Sequence, residues 1–377
     1  MPRRAHSLRE ILRAEWRAAG VLSLARFMEL ALYHPEHGYY VQPERSIGRA
    51  GDFYTSVSVG PVFGELLAWQ WRDWTKGIGE DRWTWLEAGA HDGRLARDIL
   101  TFVRQSQPEF FARLEYWILE PSSRRQTWQK ETLREFASQV RWFADWPDLP
   151  SRGIRGVIFA NELLDAFPAR RLCWDAPAHR WFEWGVAFEG DRLVWVKMES
   201  PGQGHGAEAA GHAPLPGWLT ELPGELLTVL PNGFTVDVSP AADAWWRQAA
   251  TTLQRGKLMT IDYGLQAEQF LQPERARGTL RAYYHHHIAP DPLSLIGQQD
   301  LTTSIDFTSL ERAGEAAGLS TEPLATQEQF LTGILRRITA PGGTEHDWDS
   351  SRRRQFQTLI HPDHLGRAFQ VFVQSRA

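Results

Sequence analysis

Between residues 7 and 32 the apolar side chains recur at helical spacing: Leu8, Ile11, Leu12 and Trp16, then Leu24, Phe27, Met28 and Leu32. Repeats of three and four predict two amphipathic helices with a bend at Gly20. The stretch 33–56, "YHPEHGYYVQPERSIGRAGDFYTS", has no period and is rich in Gly, Pro and Tyr. It is long for an idle connection, so a functional loop is expected there. Helical spacing returns over 61–75, with Pro61 suited to a first turn.

From residue 83 the pattern alternates. Short apolar runs at 83–88, 114–120, 140–144, 156–160 and 257–262 predict strands, and 93–106, 121–137 and 240–254 predict helices. Strands alternating with helices imply a parallel sheet covered on both faces. Segment 171–198 breaks the rhythm. Its runs "RLCWD", "RWFEWGVAF" and "DRLVWVKM" predict antiparallel strands joined by short turns such as Glu189-Gly190-Asp191. The Gly/Ala/His-rich 200–216 predicts a flexible segment. The apolar end "HLGRAFQVFVQSR", with "LSTEPLATQ" at 319–327, predicts an antiparallel closure of the sheet. The fold class is therefore α/β, a Rossmann-like and mostly parallel sheet with an antiparallel C-terminal strand, an N-terminal helical region and an antiparallel insertion. The expected division is a helical and lid region over 1–80 and the sheet domain over 81–377, with the insertion at about 171–235 and a substrate-side region at about 265–318.

Composition narrows the class. A chain of 377 residues with 42% apolar content can bury a full core. The net charge of −5 and the lack of a basic face beyond "RRR" at 352–354 argue against a nucleic-acid binder. A single cysteine, Cys173, excludes internal disulfides and argues against a Cys-based zinc site. No apolar run approaches the ~18 residues of a membrane span. The start lacks an apolar signal core, and Glu10 and Glu15 break the acid-poor pattern of a transit peptide, so a cytoplasmic protein is expected. The 18 tryptophans fit either a core or a partner-facing groove.

The candidate chemistry starts at "WTWLEAGAHDGRLARDIL", 83–100. An acid, Glu87, ends the first strand; Gly89 and Gly93 allow a tight turn, and the helix that follows offers free N–H groups. His91 stands between the glycines, and histidine tolerates a left-handed backbone. The next strand ends in Glu120, placed to accept hydrogen bonds from ribose hydroxyls. The spacing misses the dinucleotide pattern G-x-G-x-x-G. It fits better the E-x-G-x-G-x-G turn of S-adenosylmethionine methyltransferases, and a plain α/β turn without ligand is the competing reading. After the fourth strand come Asn161, Glu162 and Asp165, where catalytic groups of such sheets sit. Helix capping competes for Asn161 and Asp165. "YYHHH", 283–287, puts His285 and His287 on one face of a predicted strand, but no third ligand is evident, so no metal is assigned. Asp306 before an apolar helical run is expected to cap it.

Taken in order, "GDFYTS" (51–56), "FGE" (63–65), "ILEPS" (118–122), "ANELLDAFP" (160–168), "DYG" (262–264), "GTLRAYYHH" (278–286), "DLTTSIDF" (300–307) and "HPDHLG" (361–366) resemble the MidA family. These are the relatives of the respiratory complex I assembly methyltransferases. The resemblance implies a class I methyltransferase fold with S-adenosyl-L-methionine as cofactor and a protein arginine as acceptor, carried on a partner such as a respiratory complex subunit. It implies Glu87, Gly89, His91, Gly93, Glu120, Thr55 and Asn161 around the cofactor, and Glu162, Asp165 and Asn161 at the chemistry. His286 and Asp52 are implied on the substrate side. A homodimer is compatible with it. Two departures stand out. The family loop reads E-L-G-P-G-R-G where this chain has "EAGAHDG", and T-S-P-E-I-S where this chain has "TSVSVG", with Ser58 at the glutamate. They motivate a second reading, a non-catalytic assembly factor with a degenerate loop. A small-molecule methyltransferase is a third.

Overall fold

The computed structural model describes residues 7–42, 55–76, 82–198, 214–285, 287–340 and 348–377. Contacts gather the chain into two compact units. One comprises 1–45, 165–244 and 264–312; the other comprises 46–164, 245–263 and 313–377. The chain leaves the second unit after Leu164 and returns to it at Trp245.

The second unit carries the main sheet. Its strands are β1 (Trp83–Ala88), β2 (Leu114–Leu119), β3 (Val140–Phe143), β4 (Ile154–Asn161), β5 (Leu253–Asp262) and β6 (Gln370–Arg376). Their order across the sheet is β6-β5-β4-β1-β2-β3, with β6 alone among them antiparallel. Two short strands, Ser320–Thr321 and Ala325–Thr326, pair antiparallel with β6 and complete the closure expected from the C-terminal pattern. The helices used below are α1 (Ser56–Val59), α2 (Val62–Lys76), α3 (Arg94–Ser106), α4 (Ser123–Thr132) and α5 (Gln327–Ile338).

Burial explains why these segments take these forms. The central strands are buried almost throughout, β4 reading exposed only at Arg155, as strands covered on both faces must be. Along α3, Leu95, Ile99, Leu100 and Val103 share the buried face, and Pro108 follows just after its end at Ser106. Against the sheet, α2 sets Trp71, with ring centres 4.1 Å from Phe159 and 5.5 Å from Trp85. All three rings are buried, each worth roughly 1.5–3 kcal/mol of transfer free energy. Trp71, Trp85, Trp117 and Trp246 are fully buried, so for these four the core explanation holds.

The first unit is built on a five-stranded antiparallel sheet of Leu22–Ser23, Arg170–Asp175, Arg180–Glu189, Arg192–Met198 and Thr235–Val238. The three strands expected between 171 and 198 are all there, the last two joined through Gly190 and Asp191. Helices Leu8–Ala19 and Leu24–Tyr33 belong to this unit. The first is opened by a Ser7/Glu10 capping box and ends at Gly20 with φ 78, the bend its pattern predicted. Within this unit Asp237 is fully buried and accepts from Arg171 Nη1 at 2.9 and 3.1 Å, Thr279 N at 2.6 Å and Leu280 N at 2.8 Å. The "GTLR" stretch is thereby tied to the sheet. Asp306 accepts from Ser309 N at 3.1 Å at the start of helix Phe307–Ala316, the cap expected of it. Among the described residues no helix is long and apolar enough to cross a membrane.

Candidate functional site

Strand order reverses between β1 and β4: β2 and β3 extend from one side of β1, and β4, β5 and β6 from the other. Crossovers diverge at such a switch point and leave a crevice beyond the strand C-termini. There the chain places Gly89–Gly93 after β1, Glu120 after β2, Asn161–Leu164 at the end of β4 and Asp262 at the end of β5.

The glycine turn is intact with histidine in it. Gly89, His91 and Gly93 have φ of 68, 45 and 83, so all three are left-handed. Histidine supports that conformation better than most side-chain-bearing residues. Its half-buried imidazole lies on the Asp92 side, with Nδ1 3.7 Å from Asp92 Oδ1. Asp92 Oδ1 also accepts from Arg94 N at the start of α3. His91 O accepts from Gln129 Nε2 at 3.1 Å. Gly89 lacks a Cβ for a reason: one built there would stand 2.6 Å from Leu163 Cδ1.

Glu120 is almost fully buried. Its Oε1 accepts from Ser122 N at 3.0 Å and its Oε2 from Gln129 Nε2 at 3.1 Å. Burial raises its carboxyl above the usual range, opposed by Arg125 and these hydrogen bonds. Gln129 is fully buried on α4, and its Oε1 accepts from Trp142 Nε1 on β3 at 3.1 Å. Trp142 and Gln129 thus hold both Glu120 and the His91 carbonyl. Neither was singled out from the sequence, since nothing in the polar run "SRRQTWQKET" distinguishes Gln129.

Glu87 lies within β1, and its Oε2 accepts from Tyr116 OH on β2 at 2.7 Å. Burial pushes its carboxyl up to about 8. The folded chain therefore holds a proton that the unfolded chain releases near 4.5, and stability falls as pH rises through that window. Glu87→Gln keeps an acceptor for Tyr116 and removes the ionisation. We expect it to stabilise the fold at pH 8 by about 4 kcal/mol, read as a higher melting temperature, and to change little below pH 4.5. Melting curves across pH check this; a gain independent of pH would show the cause to be something else.

The end of β4 departs from regular backbone. Glu162 has φ 51, uncommon for a residue with a side chain. Its carboxyl accepts from Asn161 Nδ2 at 3.2 Å and from Ser56 N at 3.3 Å. Burial pushes it up to about 8, the Asp262 carboxylate adding to the shift. Asn161 Oδ1 is cut off from solvent and has no hydrogen-bond partner among the described residues. Such an orphan acceptor is costly unless something donates to it. Ser56 joins this corner to the C-terminal elements, its Oγ 2.9 Å from Gln327 Oε1 at the start of α5.

Thr55 caps α1 in a capping box with Ser58, Ser58 Oγ donating to Thr55 O at 2.7 Å. The serine at the family's glutamate therefore has a local role. Asp165 lies inside a short 3-10 turn, Leu164–Ala166, and belongs to the other unit; the next element is a strand, so no helix follows for Asp165 to cap, and Asn161 Oδ1 accepts from no N–H of the 3-10 turn that follows it. Asp52 and His286 lie outside the described residues. The predicted strand through "YYHHH" is instead a hairpin, with strands Arg281–Tyr284 and His287–Ala289 and His285 at φ 47 in the turn. Among the described residues no group of three or more His, Cys, Asp or Glu is placed to hold a metal.

Known proteins place this arrangement. A family model for S-adenosyl-L-methionine-dependent methyltransferases matches residues 63–324. A Burkholderia thailandensis protein crystallised with S-adenosyl-homocysteine is 28% identical, with a TM-score of 0.80 over 98% of this chain and 92% of that one. The mitochondrial protein arginine methyltransferase NDUFAF7 of Danio rerio is 26% identical over 94% of this chain and 83% of its own length. Its Drosophila melanogaster homolog is 26% identical over 83% of this chain and 71% of its own. These relatives carry "mitochondrial" in their names, so they lend no support to the cytoplasmic expectation.

Proposed function

This chain belongs to the S-adenosyl-L-methionine-dependent methyltransferase family, and from that premise we propose that it methylates an arginine side chain of a partner protein, with Glu162 gripping the guanidinium. The observation that carries the proposal is the Glu162 carboxyl, half-buried, raised by burial and held in a left-handed turn at the switch point. Strain of this kind persists where surrounding structure enforces it, and it clusters at working sites.

The residues fit the cofactor. Glu120 carries acceptor oxygens for ribose hydroxyls, the Gly89 turn presents bare backbone, and Asn161 Oδ1 awaits a donor. When bound, S-adenosylmethionine supplies a methyl group already activated on a sulfonium. The chain's own task is therefore positioning. Arginine, with a pKa above about 12, arrives charged. A cationic acceptor favours the ionised form of Glu162, which gives its proton to water and holds the guanidinium through charge-assisted hydrogen bonds. As the new N–C bond forms and the S–C bond breaks, sulfur keeps the electron pair. The displaced N–H proton passes to Glu162 or to water. The names of the curated relatives support arginine as acceptor, and a respiratory complex subunit is the partner the resemblance suggests.

The test is transfer of labelled methyl from S-adenosylmethionine into a lysate of cells lacking this protein, with mass spectrometry of the labelled band. Methylarginine is the expected product; label on lysine, on a carboxylate or on a small metabolite overturns the arginine assignment. For the cofactor, Glu120→Ala should weaken S-adenosylhomocysteine binding about tenfold, the ~1–3 kcal/mol expected of hydroxyls left unpaired. Calorimetry showing equal affinity would remove Glu120 from the ribose.

A further inference from the structure

Glu162, at φ 51, adopts a left-handed backbone that few side-chain-bearing residues take, so neighbouring groups must hold it. Glu162 N donates to Ile261 O at 2.9 Å. The next two amides, Leu163 N and Leu164 N, both donate to Asp262 Oδ2, each at 3.0 Å. Asp262 is fully buried, and its Oδ1 accepts from Tyr263 N at 2.8 Å. One carboxylate thus takes three backbone N–H groups, two of them from the turn that presents Glu162. The same turn reaches the glycine loop, because Leu163 occupies the space a Gly89 side chain would fill.

We propose that Asp262 is the positioning residue of this site, fixing the Glu162 turn and the Leu163 contact on the Gly89 loop through the amides of Leu163 and Leu164. The inference rests on the methyltransferase reading for the role of Glu162, and on the hydrogen bonds alone for the role of Asp262. A carboxylate suits this place better than an amide, since Leu163 N, Leu164 N and Tyr263 N all donate to it. Its charge has a second effect. Among the described residues, the groups acting on the Glu162 carboxyl are Asp262 from β5, Asn161 from β4 and Ser56 N from α1, and of these only Asp262 is charged. Asp262 therefore helps to keep Glu162 protonated until a cation arrives to replace the proton, which makes the grip selective for a cationic acceptor.

Two variants of the full chain separate hold from charge. In Asp262→Asn the amide oxygen can still accept from Leu163 N and Leu164 N, while the charge is gone. In Asp262→Ala both are lost. The direct readout is the protonated-carboxyl infrared band of Glu162, isolated as the difference between each protein and the same protein carrying Glu162→Gln, and titrated with pH without cofactor. The difference is needed because Glu87, Glu120, Asp98 and Asp306 also carry raised carboxyls. The Glu162 midpoint should fall by about one pH unit or more in Asp262→Asn, and the acidic limb of the kcat/KM profile should move with it. At the top of the profile Asp262→Asn should stay within tenfold of the parent, and Asp262→Ala should lose at least thirtyfold in kcat. An unmoved Glu162 midpoint in Asp262→Asn overturns the charge role. Full kcat in a folded Asp262→Ala overturns the positioning role. If Asp262→Ala does not fold, hydrogen exchange at the Leu163 and Leu164 amides tests the hold: slow exchange in the parent and faster exchange in Asp262→Asn, whose neutral oxygen is the weaker acceptor, are expected, and equal exchange in the two overturns it. A shifted midpoint in a protein that transfers no methyl group supports the Asp262 effect and counts against the methyltransferase reading instead.

Discussion

Glu162→Gln should lower methyl transfer to the protein acceptor by a hundredfold or more while leaving S-adenosylhomocysteine affinity within about threefold of the parent. The amide keeps the size of the side chain and can still accept from Asn161 Nδ2 and Ser56 N, the contacts made by the carboxyl in the free protein. It cannot ionise, so the guanidinium loses its charged partner and is no longer aimed at the methyl carbon. A hundredfold corresponds to ~2.7 kcal/mol, the scale expected for a lost charge-assisted contact in a desolvated site. The pH profile should change with it. In the parent, kcat/KM should rise through the Glu162 ionisation, near pH 8, because the carboxylate is the form that grips. In Glu162→Gln that limb should vanish. Transfer at the parent rate would remove Glu162 from the chemistry even if arginine proved to be the acceptor. Loss of cofactor affinity in parallel would make it a structural residue instead. Glu162→Gly offers a further check: it relieves the left-handed backbone and should not destabilise the fold, yet it should be as inactive as the glutamine variant.

Gly89→Ala should weaken cofactor binding by about thirtyfold to a hundredfold. Two costs combine. Alanine at φ 68 bears the left-handed penalty, about 1–2 kcal/mol. Its Cβ also meets Leu163 Cδ1 at 2.6 Å, and the Leu163 backbone cannot retreat while Asp262 holds it. Either the glycine turn or Leu163 must then shift, and the crevice changes shape. Calorimetry with S-adenosylhomocysteine on Gly89→Ala, Leu163→Ala and the pair resolves the two costs. The double variant should recover the steric part and retain the backbone part, a coupling of about 1 kcal/mol or more. Additive losses would mean that Leu163 does not communicate with the loop. Unchanged binding in Gly89→Ala alone would mean that the cofactor does not use this turn.

What the sequence determined by itself was whatever neighbouring residues encode together. Helical spacing in 7–32 and 61–75, apolar runs from 83 to 262 and the tail at 370–376 specified elements whose types all recur in the structure, because periodicity is a property of consecutive positions. Local chemistry was legible for the same reason. Glycines flanking His91 announced a left-handed turn, and Asp306 announced a cap, since both depend on backbone within a few residues. Acids at or just beyond the ends of β2 and β4 were visible as candidates because strand ends can be read from where apolar runs stop. "YYHHH" misled through the same local logic: its residues favour a strand, and only pairing with Asp300–Thr302 and His287–Ala289 shows that His285 turns a corner. The tertiary structure decided everything that depends on register between distant strands. Leu163 and Leu164 meet Asp262 from 99 and 98 positions away, Ser56 meets Glu162 from 106, and Trp142 reaches Glu120 only through Gln129. It also divided the chain into two interleaved units, placing Glu162 in one and Asp165 in the other three residues on. No local pattern carries such pairings. They follow from how the sheet stacks β4 against β5 and β1, and the free energy that selects that stacking comes from burying side chains far apart in the chain.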